Sequence, residues 1–165
     1  MLTRPAGDIG PVLKCLNADH ATALATLERR CFSLPWSEEQ CRAAFAQRAF
    51  AALGLWTGRT LCGYISVYHT ADELEILNLA VSPDLRRRGL GRRLLRTALR
   101  LAAKGGIMKV LLEVRAGNAP AVSLYESCGF QRVGLRKGYY VDTGEDAHVY
   151  ALSLLPAALQ PKRTA

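Results

Sequence analysis

The sequence predicts an α/β protein built on one mixed sheet of about seven strands with helices on both faces. Two observations carry this. Apolar alternation and helical spacing succeed one another in the order β, two α, three β, α, β, α, β, β. A strand ending at Val81 also passes through a turn and a long helix into a further strand from Met108, and such a crossover returns parallel and right-handed.

In chain order, residues 1–10 carry Pro5, Gly7 and Gly10 and read as a loose lead-in. A single folded domain is expected over 11–155, followed by a basic tail over 156–165. Residues 11–16 form a short first strand. Asn17 stands at an N-cap position ahead of Ala21, Leu24, Leu27 and Cys31, whose spacing is that of a first helix. Ser33-Leu34-Pro35-Trp36 breaks it, and Ser37-Glu38-Glu39-Gln40 has the form of a capping box. Trp36 and Cys41 can staple the entry of this second helix, which is expected to run to Gln47.

The β-rich runs 50–56 and 61–68 flank Thr57-Gly58-Arg59-Thr60, a hairpin signal, and 73–81 completes a meander. Pro83 forbids further strand. Leu90, Leu94, Ala98 and Leu101 mark a long helix that Lys104-Gly105-Gly106 ends. The run 108–115 is the parallel strand. Asn118 then caps a helix that tolerates Pro120 in its first turn and stops at Gly129. Residues 130–136 and 147–154 are the closing strands, with 137–146 expected as a polar loop tipped by Tyr139 and Tyr140.

Half of the 165 residues are hydrophobic, enough for one self-supporting core. No run approaches the roughly 20 apolar residues of a membrane span, and the N-terminus lacks the apolar centre of a signal peptide, so a cytoplasmic protein is expected. Cys15, Cys31, Cys41, Cys62 and Cys128 include no C-x-x-C pair and no histidine at metal spacing; free thiols are expected and no metal. The net charge of +8 is local: Arg86, Arg87, Arg88, Arg92, Arg93, Arg96 and Arg100 supply all but one of those charges. Such a patch suits a small polyphosphate. Its outer members Arg93, Arg96 and Arg100 are either a solvated helix face or a surface for an acidic partner or RNA; no DNA or membrane partner is expected.

The turn after Val81 carries the first chemical signal. Gly89 and Gly91 leave unpaired amides uncovered at the positive end of a helix, which is built to hold an anion. It lacks the Lys-Ser/Thr of a P-loop and the third glycine of the dinucleotide fingerprint. The second signal is Glu113, which shares a strand face with Leu111 and Arg115 and has apolar neighbours. A carboxylate there is either a satisfied structural group or, with its pKa lifted by partial burial, a general base for an amine. Tyr125, two turns into the next helix, is either core or a phenol able to protonate a departing thiolate. Trp36 is either the staple of its helix or part of an acceptor-binding loop.

Taken together, Pro-Trp-Ser-Glu (35–38), Asn-Leu-Ala-Val-Ser-Pro-Asp (78–84), Arg-Arg-Gly-Leu-Gly-Arg (87–92), Leu-Glu-Val-Arg-Ala-Gly-Asn (112–118), Leu-Tyr-Glu-Ser-Cys-Gly-Phe (124–130) and Arg-Lys-Gly-Tyr-Tyr (136–140) resemble the GCN5-related N-acetyltransferase (GNAT) superfamily. Within it, they are most similar to the branch that acetylates the N-terminal alanine of a ribosomal protein. The resemblance implies the acyl-CoA N-acyltransferase fold, acetyl-CoA as co-substrate, and a protein N-terminus as acceptor, the enzyme being a monomer or weak dimer. It further implies Glu113 as general base and Tyr125 as general acid. Leu79, Ala80 and Val81 would hold the pantetheine arm and acetyl carbonyl, while Arg87, Arg88, Gly89, Leu90, Gly91 and Arg92 wrap the diphosphate. Asn118 would reach the cofactor from across the cleft, and Trp36, Tyr139 and Tyr140 would line the acceptor side. An α-amino group, with an ordinary pKa near 8 against about 10.4 for lysine, needs less help to lose its proton, which suits a modest base. The alternatives are an acetyltransferase for lysine side chains or small amines, and a non-catalytic CoA- or RNA-binding module.

Overall fold

Local chemistry sets the element boundaries in the computed structural model, which describes residues 10–154. The expected lead-in, save Gly10, and the expected basic tail lie outside the described residues. After β1 (Val12–Cys15), Asn17 caps a single 3-10 turn by accepting from the Asp19 amide, and α1 (Ala21–Cys31) follows directly. The second helix, α2 (Glu38–Phe45), opens on the expected capping box: Ser37 Oγ accepts from the Gln40 amide at 3.1 Å and Gln40 Oε1 from the Ser37 amide at 2.8 Å.

The meander is β2 (Phe50–Thr57), β3 (Thr60–His69) and β4 (Glu73–Val81). Then come α3 (Leu90–Lys104), β5 (Lys109–Arg115), α4 (Ala119–Ser127), β6 (Gln131–Tyr140) and β7 (Glu145–Ser153). The strands form one seven-stranded sheet in the order β1-β2-β3-β4-β5-β7-β6, with β4 and β5 as its parallel pair. Two cores flank it. Leu94, Leu95 and Ala98 of α3 and Tyr125 of α4 pack with Val110, Leu112 and Val114 on one face. On the other face, Ala21, Leu24 and Leu27 of α1 and Cys41 of α2 pack with Phe50, Tyr64 and Ala80.

The segment 137–146 departs from the expected loop. Strand β6 runs on to Tyr140, across a register shift after Arg136, and β7 begins at Glu145, so only 141–144 turn. Gly138 adopts φ +58° and its amide donates to Asp146 Oδ1 at 2.8 Å, which lets an edge strand bend without ending.

Candidate active site

The parallel pair separates halfway along. Its ladder runs from Glu73 opposite Lys109 to Ile76 opposite Leu112 and goes no further, although β4 continues to Val81 and β5 to Arg115. The cause lies on the other edge of β4. Val67 of β3 faces Ile76 while Ser66 faces Asn78, so Leu77 is an extra residue, and a bulge bends its strand. Beyond it, the Ser82 amide donates to the Cys62 carbonyl at 2.8 Å. Strict alternation then commits the backbones of Ala80 and Asn78 to β3 and turns the amides of Leu79 and Val81 towards the gap. The Val81 carbonyl fits this orientation, since it accepts instead from Arg86 Nε at 3.0 Å.

The arginine-rich turn lies at the end of this gap. Arg87 has φ +62° and Gly89 φ +77°, the left-handed region on either side of Arg88, which makes successive amides converge. No side chain caps α3 at Gly89, and no atom lies within 4 Å of where a Cβ on Gly89 would stand. The amides of Leu90, Gly91 and Arg92 are the first of the helix and have no intrahelical acceptor. Gly91 packs beneath them, its Cβ direction 3.5 Å from Leu124 of α4. An open cradle of backbone donors beside Arg87, Arg88 and Arg92, continuous with a strand edge that has free amides, fits a diphosphate carrying an extended arm.

Glu113 is the first residue of β5 beyond its last pair with β4. Its neighbours along and across the strand are apolar as expected, Leu111 on its own face and Val149 directly opposite on β7, but the side chain is 17% exposed and also paired with Arg136 Nε at 2.7 Å. The partner comes from β6, two strands away, and no local pattern in the sequence announces it. The Tyr139 hydroxyl also leans on Glu113, which raises the phenol's pKa. Tyr125 sits on the opposite face, buried and edge-on to Phe130. Burial first, and then the nearby Tyr140, push its pKa well above the ordinary value, so at neutral pH the phenol keeps its proton. Glu113 and Tyr125 thus lie on opposite faces of the sheet beside β5.

The remaining expected residues are divided. Asn118 Oδ1 accepts from the Ala121 amide at 3.3 Å, so that atom caps α4. Trp36 packs against Phe50 with centroids 6.2 Å apart, as a staple would. Tyr140 lies under the Arg115 guanidinium at 4.0 Å, and Tyr139 is 44% exposed beside Arg136.

Two features escape a reading of the sequence alone. Arg115 grips Asp142 with both oxygens within 2.9 Å, and Asp142 accepts from Ser33 Oγ at 2.7 Å, joining the β6–β7 turn to the α1–α2 loop. The other is Glu28, 1% exposed, which accepts from the Tyr64 hydroxyl, from the Trp36 amide at 2.8 Å and from Asn78 Nδ2 at 3.4 Å. A signal existed for it: Glu28 stands in the apolar stripe of α1, four residues after Leu24 and three before Cys31. Among the described residues, no group of three or more His, Cys, Asp or Glu side chains is arranged to hold a metal ion.

A gap between parallel strands, bordered by free amides and ending at an anion cradle, is the geometry of an acyl-CoA-dependent transferase. The model of the acetyltransferase (GNAT) family matches residues 21–130, and the chain belongs to that family. It is 36% identical over 130 residues, 78% of this chain and 87% of the relative, to the ribosomal protein bS18-alanine N-acetyltransferase of Escherichia coli K12. It is 38% identical over 148 residues, 86% of this chain and 92% of the relative, to the N-alpha-acetyltransferase RimI of Mycobacterium tuberculosis. The crystal structure of the ribosomal-protein-S18-alanine N-acetyltransferase from Escherichia coli superposes with a TM-score of 0.83 at 31% identity, covering 94% of this chain and 99% of the other.

Proposed function

We propose that the chain transfers the acetyl group of acetyl-CoA to the α-amino group of a protein N-terminus, with the N-terminal alanine of a small-subunit ribosomal protein as acceptor, in the cytoplasm. The observation that carries this reading is the opened β4–β5 edge, with the amides of Leu79 and Val81 unpaired and Glu113 and Tyr125 on opposite sides. The two relatives named for N-terminal acetylation support the acceptor class.

Acetyl-CoA supplies an activated acyl carbon on a leaving thiolate. The amides from Arg88 to Arg92, with Arg87, Arg88 and Arg92 around them, hold its diphosphate; Leu79, Ala80 and Val81 run beside the arm. One of the free β4 amides meets the negative charge that develops on the carbonyl oxygen. Glu113 takes a proton from the acceptor's ammonium, directly or through one water, after exchanging Arg136 for that cation. Tyr125, held protonated by burial, donates to the sulfur. Asn118 keeps its carboxamide nitrogen for the cofactor while its oxygen caps α4. Trp36, Tyr139 and Tyr140 border the acceptor's path. Arg93, Arg96 and Arg100 face away from the diphosphate and meet ribosomal RNA when the acceptor is presented on a ribosomal particle.

Mass-resolved assays with Ala-started peptides, N-blocked lysine peptides and polyamines test the acceptor class. Turnover is expected on the first alone, and a preference for either of the others refutes the assignment. Glu113→Gln and Tyr125→Phe are each expected to lower kcat by about 10²–10⁴, the range for positioned general bases and acids. Full activity in both variants would refute their roles.

A further inference from the structure

We infer that Glu28, a residue of α1, is a positioning residue for the transfer reaction: its buried carboxylate braces the bulged edge of β4 through Asn78 and fixes the Trp36 loop at the same time. The inference rests on the reading of the β4–β5 gap given above and adds a residue that makes no contact with either substrate.

Glu28 is one of three buried polar or charged side chains among the described residues, with Ser66 and Ser82. The three donors on its carboxylate come from three segments: the Trp36 amide from the α1–α2 loop, the Tyr64 hydroxyl from β3 and Asn78 Nδ2 from β4. Two of those segments border the site. Asn78 directly follows the bulge at Leu77 and precedes Leu79, whose amide points into the gap. Holding the Asn78 side chain on the α1 face therefore sets the orientation of the next peptide unit.

Asn78 has a cross-strand alternative. Ser66 lies directly opposite it on β3 and is 0% exposed, yet the Ser66 hydroxyl has no partner in the structure. A buried hydroxyl left unpaired is costly. Asn78 turned towards Glu28 and Tyr64 rather than towards Ser66 indicates that the carboxylate dictates its rotamer.

A carboxylate suits this task because it accepts at both oxygens and offers no proton to any of its donors. The substitution Glu28→Gln is nearly isosteric, but it turns one terminal atom into a donor facing another donor. Either the Asn78 contact or the Trp36 contact must then open. The buried site thus converts a one-atom change into a shift of the β4 edge, and misplacement of a reacting group by about 1 Å can cost up to a hundredfold in rate.

The test measures steady-state kinetics on an Ala-started peptide, with acetyl-CoA affinity by calorimetry, for the wild type, Glu28→Gln, Asn78→Ala and the double variant. Tyr64→Phe, which removes one donor and keeps the ring, stands in should Glu28→Gln fail to fold. Expected are a fall in kcat of about tenfold to a hundredfold in Glu28→Gln, acetyl-CoA affinity within about twofold of the wild type, and no further loss when Asn78→Ala is added. Leu24→Ala, on the same helix and 0% exposed, controls for stability: it is expected to melt earlier yet turn over normally when folded. Wild-type kcat in folded Glu28→Gln or in Tyr64→Phe, or fully additive losses with Asn78→Ala, would overturn the inference. Failure of the N-terminal acetylation reading is a separate result, since the wild type itself would then not turn over the peptide.

Discussion

Arg136 occupies Glu113 through a 2.7 Å contact while its own side chain is 60% exposed, so the pair lies at the solvent edge of the site. An exposed ion pair contributes up to about 1 kcal/mol. In the proposed reaction, the acceptor ammonium displaces it to reach Glu113. Arg136→Ala is therefore expected to lower the acceptor KM by up to about fivefold, read from initial rates at low peptide concentration; a raised KM would mean that Arg136 helps to bind the acceptor. Glu28 gives a second prediction, in pH. Burial raises its pKa against the opposing effects of the Tyr64 hydroxyl and the Trp36 amide, and the ionisable groups facing it are Tyr64 of β3, Cys41 of α2 and Cys31 of α1. A carboxyl with a raised folded pKa favours folding fully below its unfolded value, and that contribution is lost as pH rises through the folded value. The melting-temperature gap between the wild type and Glu28→Gln should narrow from pH 4.5 upwards, and a gap that widens would contradict this. Side chains such as these are the least legible part of the sequence. Strand alternation points to Glu113, whereas its partner Arg136 comes from β6, which is brought alongside only by β7.

At the scale of elements, legibility follows how local the cause is. The capping box of α2, the bounds of β4, the Asn118 cap and the Gly129 stop all depend on residues within one turn of each other, and all stand where expected. Lys137-Gly138 reads as a turn and ends the expected strand at Arg136, whereas pairing with β7 and the Gly138–Asp146 contact carry β6 past it. The opening between β4 and β5 is equally hidden, because the bulge at Leu77 is a mismatch in length between two strands and leaves no mark in either one. The turn before α3 yields a sharper prediction. At Gly89 a Cβ would meet nothing, so Gly89→Ala is penalised only through its φ of +77°. The expected cost is about 1–2 kcal/mol, or a melting temperature lower by roughly 2–8 °C for a chain of this size. Relaxation of the turn would disperse its amides, so calorimetry should find weaker acetyl-CoA binding than the loss of stability alone explains. Unchanged affinity would place the diphosphate elsewhere.

Across the whole molecule, charge is distributed as the two proposed substrates require. Carboxylates pair with Arg30, Arg42, Lys109, Arg115 and Arg136, whereas among the described residues none lies within ion-pair distance of Arg93, Arg96 or Arg100. Arg93 reaches the Pro11 carbonyl at 2.6 Å and Arg100 the Thr97 hydroxyl at 3.4 Å, contacts that leave their charges uncompensated. These three side chains share one exposed side of α3, whose buried side carries Leu94, Leu95, Ala98 and Ala102. A stripe of one sign, placed next to the proposed diphosphate cradle, draws a polyanion by releasing its counterions. Each contact with single-stranded RNA adds about 0.7 to the slope of log affinity against log salt. Replacing all three arginines by alanine should therefore lower that slope by about 2 when small ribosomal subunits with an unacetylated acceptor are the substrate, and leave acetylation of the free peptide unchanged. Equal slopes for both proteins on the particle would make the stripe a solvated helix face. An equal loss on free peptide would assign it instead to the cofactor.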